Sequence, residues 1–191
     1  MKSFFGLVVL TLGVAFGTSS VIAQMSDMKS DGNPMVGGAA MYKTKNIVEN
    51  AVNSKDHTTL VAAVQAAGLV DTLKGTGPFT VFAPVNAAFD KLPAGTVETL
   101  LKAENKPTLT KVLTYHVVAG NMDSKAIAKA IKAAGGKAEL TTVAGGKLWA
   151  SMDGKNLILW DEKGGKSMVT IADVKQSNGV IHVIDTVLMP N

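Results

Sequence analysis

The stretch 77–89 constrains the fold more than any other part of the sequence. It opens on a Gly-Pro pair that marks a turn, and residues 79–82 form an aromatic and β-branched run typical of a short strand. Pro84 lacks an N–H and pushes its predecessor away from helical dihedrals, so we predict that the strand ends before it. Asn86 occupies the expected N-cap of a following helix. Turn, strand, corner and helix therefore follow one another without a linker.

The N-terminus has the pattern of a secretory signal peptide. Lys2 precedes a mostly apolar run, 4–16, and Val21-Ile22-Ala23 forms a small-residue cleavage site. We predict that residues 1–23 are a signal peptide cleaved after Ala23, which makes the protein secreted or periplasmic. A transmembrane anchor is the alternative, but the apolar run is shorter than the roughly 20 residues that span a bilayer, and nothing later is long and apolar enough to cross a membrane.

Composition excludes several classes of function. Cysteine is absent, so thiol nucleophiles and thiolate metal sites are excluded. All 19 basic residues are lysine and the net charge is +4. Because lysine lacks the planar fork of arginine, bidentate phosphate recognition is disfavoured. The lysines are also scattered, which disfavours a nucleic-acid partner.

Residues 24–44 resemble a flexible leader that packs down near 39–42. They are rich in glycine and polar residues and show no sustained hydrophobic period. Their methionines are soft ligands that could hold Cu(I) in an exported protein: Met25, Met28, Met35 and Met41. Since no histidine or cysteine accompanies them, a low-complexity linker is the competing interpretation.

From Lys45 onward the first half of the chain has mainly helical periodicity, and the second half has a β pattern. We expect about seven strands, the last spanning 180–189. The segregation of helices from an antiparallel meander predicts an α+β fold. Expected helix boundary residues are Asp56 or Thr58 (cap), Gly68 (end), Pro107 (first turn) and Asp123 (cap).

The segment 178–190 is a second distinctive stretch. Together with 77–89 and the intervening Tyr115-His116 pair, it makes the chain resemble the fasciclin domain family over 45–190. We call 77–89 the first box and 178–190 the second box. The residues that carry the box motifs are Thr80, Phe82, Ala83, Pro84, Asn86, Phe89, Asn178, Gly179, His182 and Asp185. The resemblance implies a fold with an antiparallel-rich β wedge of about seven strands and helices packed around it.

The resemblance also implies a function. Family members mediate adhesion or matrix binding, and in animal members ligand contact is attributed to positions that match Tyr115-His116 and Asp173-Val174 here, where Val174 stands in place of the usual isoleucine. We therefore expect an exported, monomeric, non-enzymatic adhesion module whose partner is a surface protein or a polysaccharide. The alternatives are periplasmic Cu(I) binding through the leader and a structural envelope role. A core role for Tyr115 and His116 is the competing interpretation of that pair.

No catalytic or metal-binding pattern accompanies these motifs. The three histidines, His57, His116 and His182, are spaced without any pattern that forces them together. Strand alternation places His182 and Asp185 on opposite faces, which disfavours an acid–base pair. Nucleophile elbows, phosphate loops and zinc-protease motifs are missing from the sequence. We expect no enzymatic activity, no cofactor and no metal.

Overall fold

The computed structural model describes residues 32–191. The predicted signal peptide (1–23) with its cleavage point, and the part of the predicted leader that contains Met25 and Met28, lie outside the described residues. No helix within the described part of the chain is long and apolar enough to cross a membrane.

Helices dominate the first half of the described chain and strands dominate the second half. A small ribbon and six helices surround one strand: β1 (Met35–Val36), β2 (Ala39–Ala40), α1 (Ile47–Ala51), α2 (Thr58–Ala67), α3 (Val70–Lys74), β3 (Phe79–Pro84), α4 (Asn86–Asp90), α5 (Thr96–Leu101) and α6 (Lys106–Tyr115). The remainder is mostly strand: β4 (Val117–Ala119), α7 (Ser124–Ala133), β5 (Lys137–Thr141), β6 (Lys147–Asp153), β7 (Asn156–Trp160), β8 (Lys166–Gln176) and β9 (Gly179–Ile184). Two 3₁₀ turns, Lys55–His57 and Ala103–Asn105, precede α2 and α6.

Seven strands form the main sheet, in the order β4-β3-β9-β8-β7-β6-β5. Strands β5 to β9 are an antiparallel meander, β3 runs parallel to β9, and β4 is antiparallel to β3. A bridge between Val118 and Thr142 joins the two ends, so the sheet almost closes into a barrel. The predicted α+β class and the seven-stranded, antiparallel-rich sheet with helices around it are confirmed.

The burial pattern differs between the centre and one side of this sheet. β9 is buried along its whole length and β3 along almost all of it, because helices and strands cover both faces. In β5, β6 and β7 every second residue is buried instead. Their inward residues pack with Ile127 and Ile131 of α7. The opposite face of these three strands is therefore left to solvent.

The ordered fold begins earlier than the predicted domain boundary at Lys45. The β1–β2 ribbon is held by a hydrogen bond from Met41 N–H to Pro34 O (2.9 Å) and by Lys55 N–H donating to Gly37 O (3.1 Å). Val36 and Met41 are 4% and 2% exposed and belong to the main core. The described part of the predicted leader is thus packed onto the domain.

Local signals placed several helix ends correctly. Gly68 ends α2 in the left-handed conformation (φ 74°), and Pro107 lies in the first turn of α6. Asp123 caps α7 by accepting a hydrogen bond from Ala126 N–H (2.8 Å).

The predicted caps of α2 and α4 are wrong. Asn86 is the first residue of α4, not its cap. Its Oδ1 instead accepts hydrogen bonds from Thr59 N–H (3.0 Å) and Thr58 Oγ1 (3.2 Å), so it caps α2 from another part of the chain. The N-cap position of α2 is His57, which makes no side-chain capping bond, and Asp56 lies in the preceding 3₁₀ turn.

Two strand ends also differ from expectation. β3 extends to Pro84, which is tolerated as the last residue of the strand because a final residue need not donate to the ladder. β9 stops at Ile184, not at 189. There the Asp185 carboxylate accepts from Met168 N–H (2.9 Å) and Ser167 Oγ accepts from Thr186 N–H (3.1 Å), so side chains replace the ladder.

Candidate functional site

Tyr115 is a buried connector at the end of α6. The side chain is fully buried, and its hydroxyl donates to Lys147 O (2.6 Å) and accepts from Glu162 N–H (3.1 Å). Burial raises the pKa of Tyr115 to about 12. The residue ties α6 to β6 and to the turn after β7.

His116, the next residue, is 3% exposed and fully hydrogen-bonded. Nε2 accepts from Leu188 N–H (3.0 Å), so the proton lies on Nδ1, which donates to Val112 O (2.8 Å). Burial lowers the pKa of His116 to about 4, which keeps the ring neutral. The pair Tyr115-His116 therefore joins four backbone segments and presents almost no surface.

Asp173 and Val174, the other predicted contact residues, lie at an irregularity in β8. Asp173 has φ 61° and lies within the second register shift of the β8–β9 ladder, between Ile171 and Val174. Burial alone would raise the pKa of its carboxyl, but hydrogen bonds from the Ser124 hydroxyl and N–H outweigh burial and hold the pKa below its usual value. Val174 is fully buried. Of the four predicted contact residues only Asp173 offers surface, and a ligand role for the four stays a prediction.

The second box ties distant backbone segments together. Asn178 donates from Nδ2 to Leu73 O (2.8 Å) and Gly75 O (2.9 Å), while its Oδ1 accepts from Ile47 N–H (3.1 Å). The next residue is Gly179, where an added Cβ would lie 2.0 Å from Phe79 O. A side chain at Gly179 is therefore incompatible with the parallel pairing of β3 and β9.

Thr80 and His182 link the boxes to the start of α7. Thr80 Oγ1 donates to Gly120 O (2.7 Å) and accepts from Met122 N–H (2.8 Å). His182 is fully buried, bonds through Nε2 to Met122 O (2.9 Å) and stacks on Phe82 with ring centroids 5.6 Å apart. These polar side chains therefore hold together the two boxes and the segment before α7, which we call the frame of the fold.

The remaining motif residues have similar surroundings. Ala83 is 4% exposed, Pro84 is buried and Phe89 packs half-buried against the core. Asp185 lies 3.5 Å from Lys91 Nζ and shares no hydrogen bond with His182 among the described residues.

Two of the four leader methionines considered for Cu(I), Met35 and Met41, lie within the described residues. Met41 is 2% exposed and fills the core, whereas Met35 is 41% exposed; Cu(I) binding through the leader stays an alternative hypothesis. Within residues 32–191 no group of three or more His, Cys, Asp or Glu side chains is placed to hold a metal ion.

Sequence reasoning missed an aromatic and basic surface on the outer face of β5–β7 and the first residue of β8. We call it the Trp–Lys face and define it by Lys137, Glu139, Lys147, Trp149, Trp160 and Lys166. Trp149 and Trp160 are directly paired across β6 and β7, Glu139 pairs with Trp149, and Lys166 pairs with Trp160. One row across β5, β6, β7 and β8 therefore consists of a carboxylate, two indoles and an ammonium group.

Lysines stack against both indoles of this face. Lys137 Nζ lies 5.4 Å from the ring centroid of Trp149 and 4.7 Å from that of Trp160, and Lys166 Nζ lies 4.3 Å from that of Trp160. These distances are within the range of cation–π attraction. Trp160 Nε1 also donates to Ser151 Oγ (2.9 Å), which fixes the orientation of its ring. Strand alternation alone puts the two tryptophans on the outer face, but their pairing depends on register.

Comparison with known proteins assigns the family. The Fasciclin domain family model matches residues 55–190. The chain is 42% identical to "Protein sll1483" of Synechocystis sp. over 192 residues, covering all of this chain and 99% of that protein. It is 31% identical to "Immunogenic protein MPB70" of Mycobacterium bovis, with 96% of each chain covered.

A further relative and a solved structure agree with this assignment. The chain is 40% identical to "Transforming growth factor-beta-induced protein ig-h3" of Sus scrofa over 131 residues, which cover 69% of this chain and 17% of that protein. A FAS1 domain pair from the insect cell adhesion molecule Fasciclin I superposes with a TM-score of 0.68 at 20% identity, over 76% of this chain and 51% of that one, which shows a common fold. The chain belongs to the fasciclin domain family.

Proposed function

We propose that this protein is exported by its N-terminal signal and acts as a non-enzymatic binding module that attaches to an acidic polysaccharide at a cell or matrix surface. The observation that carries this proposal is the Trp–Lys face. The family supports the adhesive class of function, and one similar protein is named a "Cell surface glycolipoprotein". The face supports the choice of a polysaccharide over a protein surface.

The paired indoles supply the platform for sugar rings. Trp149 and Trp160 are neighbours on adjacent strands, and both are half-buried, so the sheet holds their rings in place. Lys137 and Lys166 lie over these rings and would move aside as a sugar ring stacks. The face of an aromatic ring is electronegative and attracts the electropositive C–H groups of a pyranose ring. Two indoles side by side suit a chain of repeating sugars better than a single small molecule.

The lysines supply the preference for acidic sugars. Lys137, Lys147 and Lys166 outnumber the one acid of the face, Glu139, which already pairs with Lys147 at 3.0 Å. The ammonium groups of Lys137 and Lys166 lie beside the indoles, where a carboxylate or sulfate on a stacked sugar would meet them. Because these charges are exposed, the attraction should weaken as salt is added.

A groove beside Trp160 extends the platform. It has a volume of about 350 Å³ and is lined in part by Ser151, Asp153, Lys166 and Asp185. Its carboxylates can accept hydrogen bonds from sugar hydroxyls, while anionic substituents face the lysines. Sugar hydroxyls in the groove and carboxylates over the Trp–Lys face describe one mode of binding along a polymer.

The experiment measures binding of residues 24–191 to immobilised sodium alginate, with neutral dextran and a protein-coated surface as comparisons. We expect saturable binding to alginate that weakens between 50 and about 300 mM salt, and no binding to dextran. The double variant Trp149→Ala/Trp160→Ala should lose most of this binding. The matched control is Tyr42→Ala, since Tyr42 is an exposed aromatic with Lys45 Nζ 5.0 Å from its ring centroid, outside the Trp–Lys face.

Two results would contradict the proposal. Undiminished alginate binding by the double variant would remove the face from the mechanism. Binding to the protein-coated surface alone would make the partner a protein.

A further inference from the structure

A second recess lies between the helices and the sheet and shares no residue with the Trp–Lys face. It is a cavity of about 210 Å³ bounded by α1, α2 and α3 on one side and by β3, the α6–β4 junction and β9 on the other. Its lining is mostly aliphatic.

The floor of this cavity is apolar. Phe82, His116 and Ile181 line it and are 0%, 3% and 5% exposed. His116 is the polar member of this group, and both its ring nitrogens are already bonded, to Val112 O and to Leu188 N–H. A ligand end that reaches the floor therefore meets no free hydrogen-bonding group there and must itself be apolar.

The mouth combines apolar and polar side chains. Val52 and Val143 are 51% and 47% exposed, two of the five large exposed hydrophobic residues in the described chain, and both line this one cavity. Gln65, Thr72 and Lys74 also line it and are exposed, so they belong to the rim. The rim is thus amphipathic where the floor is not.

Charge selects the kind of polar group that fits the rim. Within residues 32–191, Lys74 is the one formally charged side chain of the lining, and it makes no ion pair there. The lining contains no carboxylate. A ligand with an apolar end and an anionic end is complementary to this arrangement.

Volume limits the size of the ligand. An engineered apolar cavity of about 150 Å³ stays dry and binds benzene, and drug-sized ligands occupy pockets of about 300–1,000 Å³. At about 210 Å³ the cavity lies between these limits. We infer that it binds a single-chain aliphatic carboxylate of medium length, with the tail on the Phe82 floor and the carboxylate at Lys74. This is a small-molecule site separate from the adhesive function.

The test uses sodium octanoate as the probe, with octanamide and sodium acetate as analogues that lack the charge and the tail. Octanoate should raise the melting temperature progressively with its concentration and shift the NMR methyl signals of Val64 and Ile181 in a saturable way, whereas acetate should do neither. Lys74→Gln should weaken octanoate about threefold to tenfold and leave octanamide unchanged. Lys129→Gln, on the exposed side of α7, is the matched control and should change neither.

Variants that fill the cavity provide an independent test of octanoate binding. Val61→Phe places a ring in the lining and should abolish octanoate binding; Ala51→Leu serves the same purpose if the first variant is unfolded. Octanoate binding that survives both filling variants, methyl shifts confined to other regions, or equal affinities for octanoate and octanamide would each overturn the inference. Alginate binding by the same variants should be unchanged, so the two proposals fail separately.

Discussion

The two boxes and the Trp–Lys face use polar side chains in opposite ways. Inside, Asn178 uses its whole amide on backbone atoms of distant segments, and His116 bonds through one ring nitrogen to Val112 O of its own helix and through the other to Leu188 N–H. Outside, Lys137 and Lys166 contact indole rings and keep their ammonium groups open to solvent. The residues that make the family recognisable thus hold the fold together, whereas the side chains that we propose for binding are held in place with their ammonium groups open to solvent.

Replacing Asn178 should give the largest loss of stability. Asn178→Ala removes partners from buried backbone groups of Ile47, Leu73 and Gly75, each of which costs about 1–3 kcal/mol when left unpaired. We expect the free energy of unfolding to fall by about 3–5 kcal/mol, measured by urea denaturation. The matched control is Asn121→Ala, on the surface, within about 0.5 kcal/mol of the parent. Equal stabilities for the two variants would break the contrast between frame and surface.

Acid should destabilise the frame through its histidines. The unfolded pKa of a histidine is about 6.5, and burial lowers the pKa of His116 to about 4. The contribution of neutral His116 is therefore complete above pH 6.5 and is lost as the pH falls towards 4, which amounts to up to about 3 kcal/mol. Burial also lowers the pKa values of His57 and His182, so they act in the same direction.

The measurement is the free energy of unfolding at pH 7.5 and pH 4.5, in parent and His116→Gln. The variant should show a shallower pH dependence. Identical slopes for the two proteins would mean that His116 titrates normally in the folded state, in conflict with its enclosed position.

Variants of Asn86 test the hydrogen bonds by which this residue of α4 caps α2. Because its Oδ1 caps α2, Asn86→Ala should cost about 1–2 kcal/mol. Asn86→Asp keeps an oxygen acceptor and should cost less. Thermal melting of both variants is the measurement, and equal losses would show that the Nδ2 bond to Lys55 O matters more than the cap.

Trp149 should have the smallest effect on stability. Trp149→Ala removes one member of a cross-strand pair, worth about 0.2–1 kcal/mol. We expect a change in unfolding free energy below about 1 kcal/mol, with a loss of alginate binding. A loss of several kcal/mol would instead make the Trp–Lys face part of the frame and remove the contrast.

Features set by neighbouring residues along the chain could be predicted from the sequence. Features that depend on contacts between distant segments could not. Gly68 and Asp123 act on their own helices, so their roles followed from their positions. Asn86 has the residue type of a cap but serves a helix 27 and 28 positions away, which no local rule detects. Likewise, alternation in β6 and β7 predicts that Trp149 and Trp160 face outward, while their contact requires the register of the sheet.

The most direct test of the account compares the two regions in one assay: alginate binding by His116→Ala and by Trp149→Ala/Trp160→Ala, at a temperature where circular dichroism shows both folded. We expect His116→Ala to have a lowered melting temperature and the same affinity for alginate as the parent. We expect the double tryptophan variant to melt close to the parent and not to bind alginate. The reverse pattern, with binding lost in His116→Ala and retained without the tryptophans, would contradict this account.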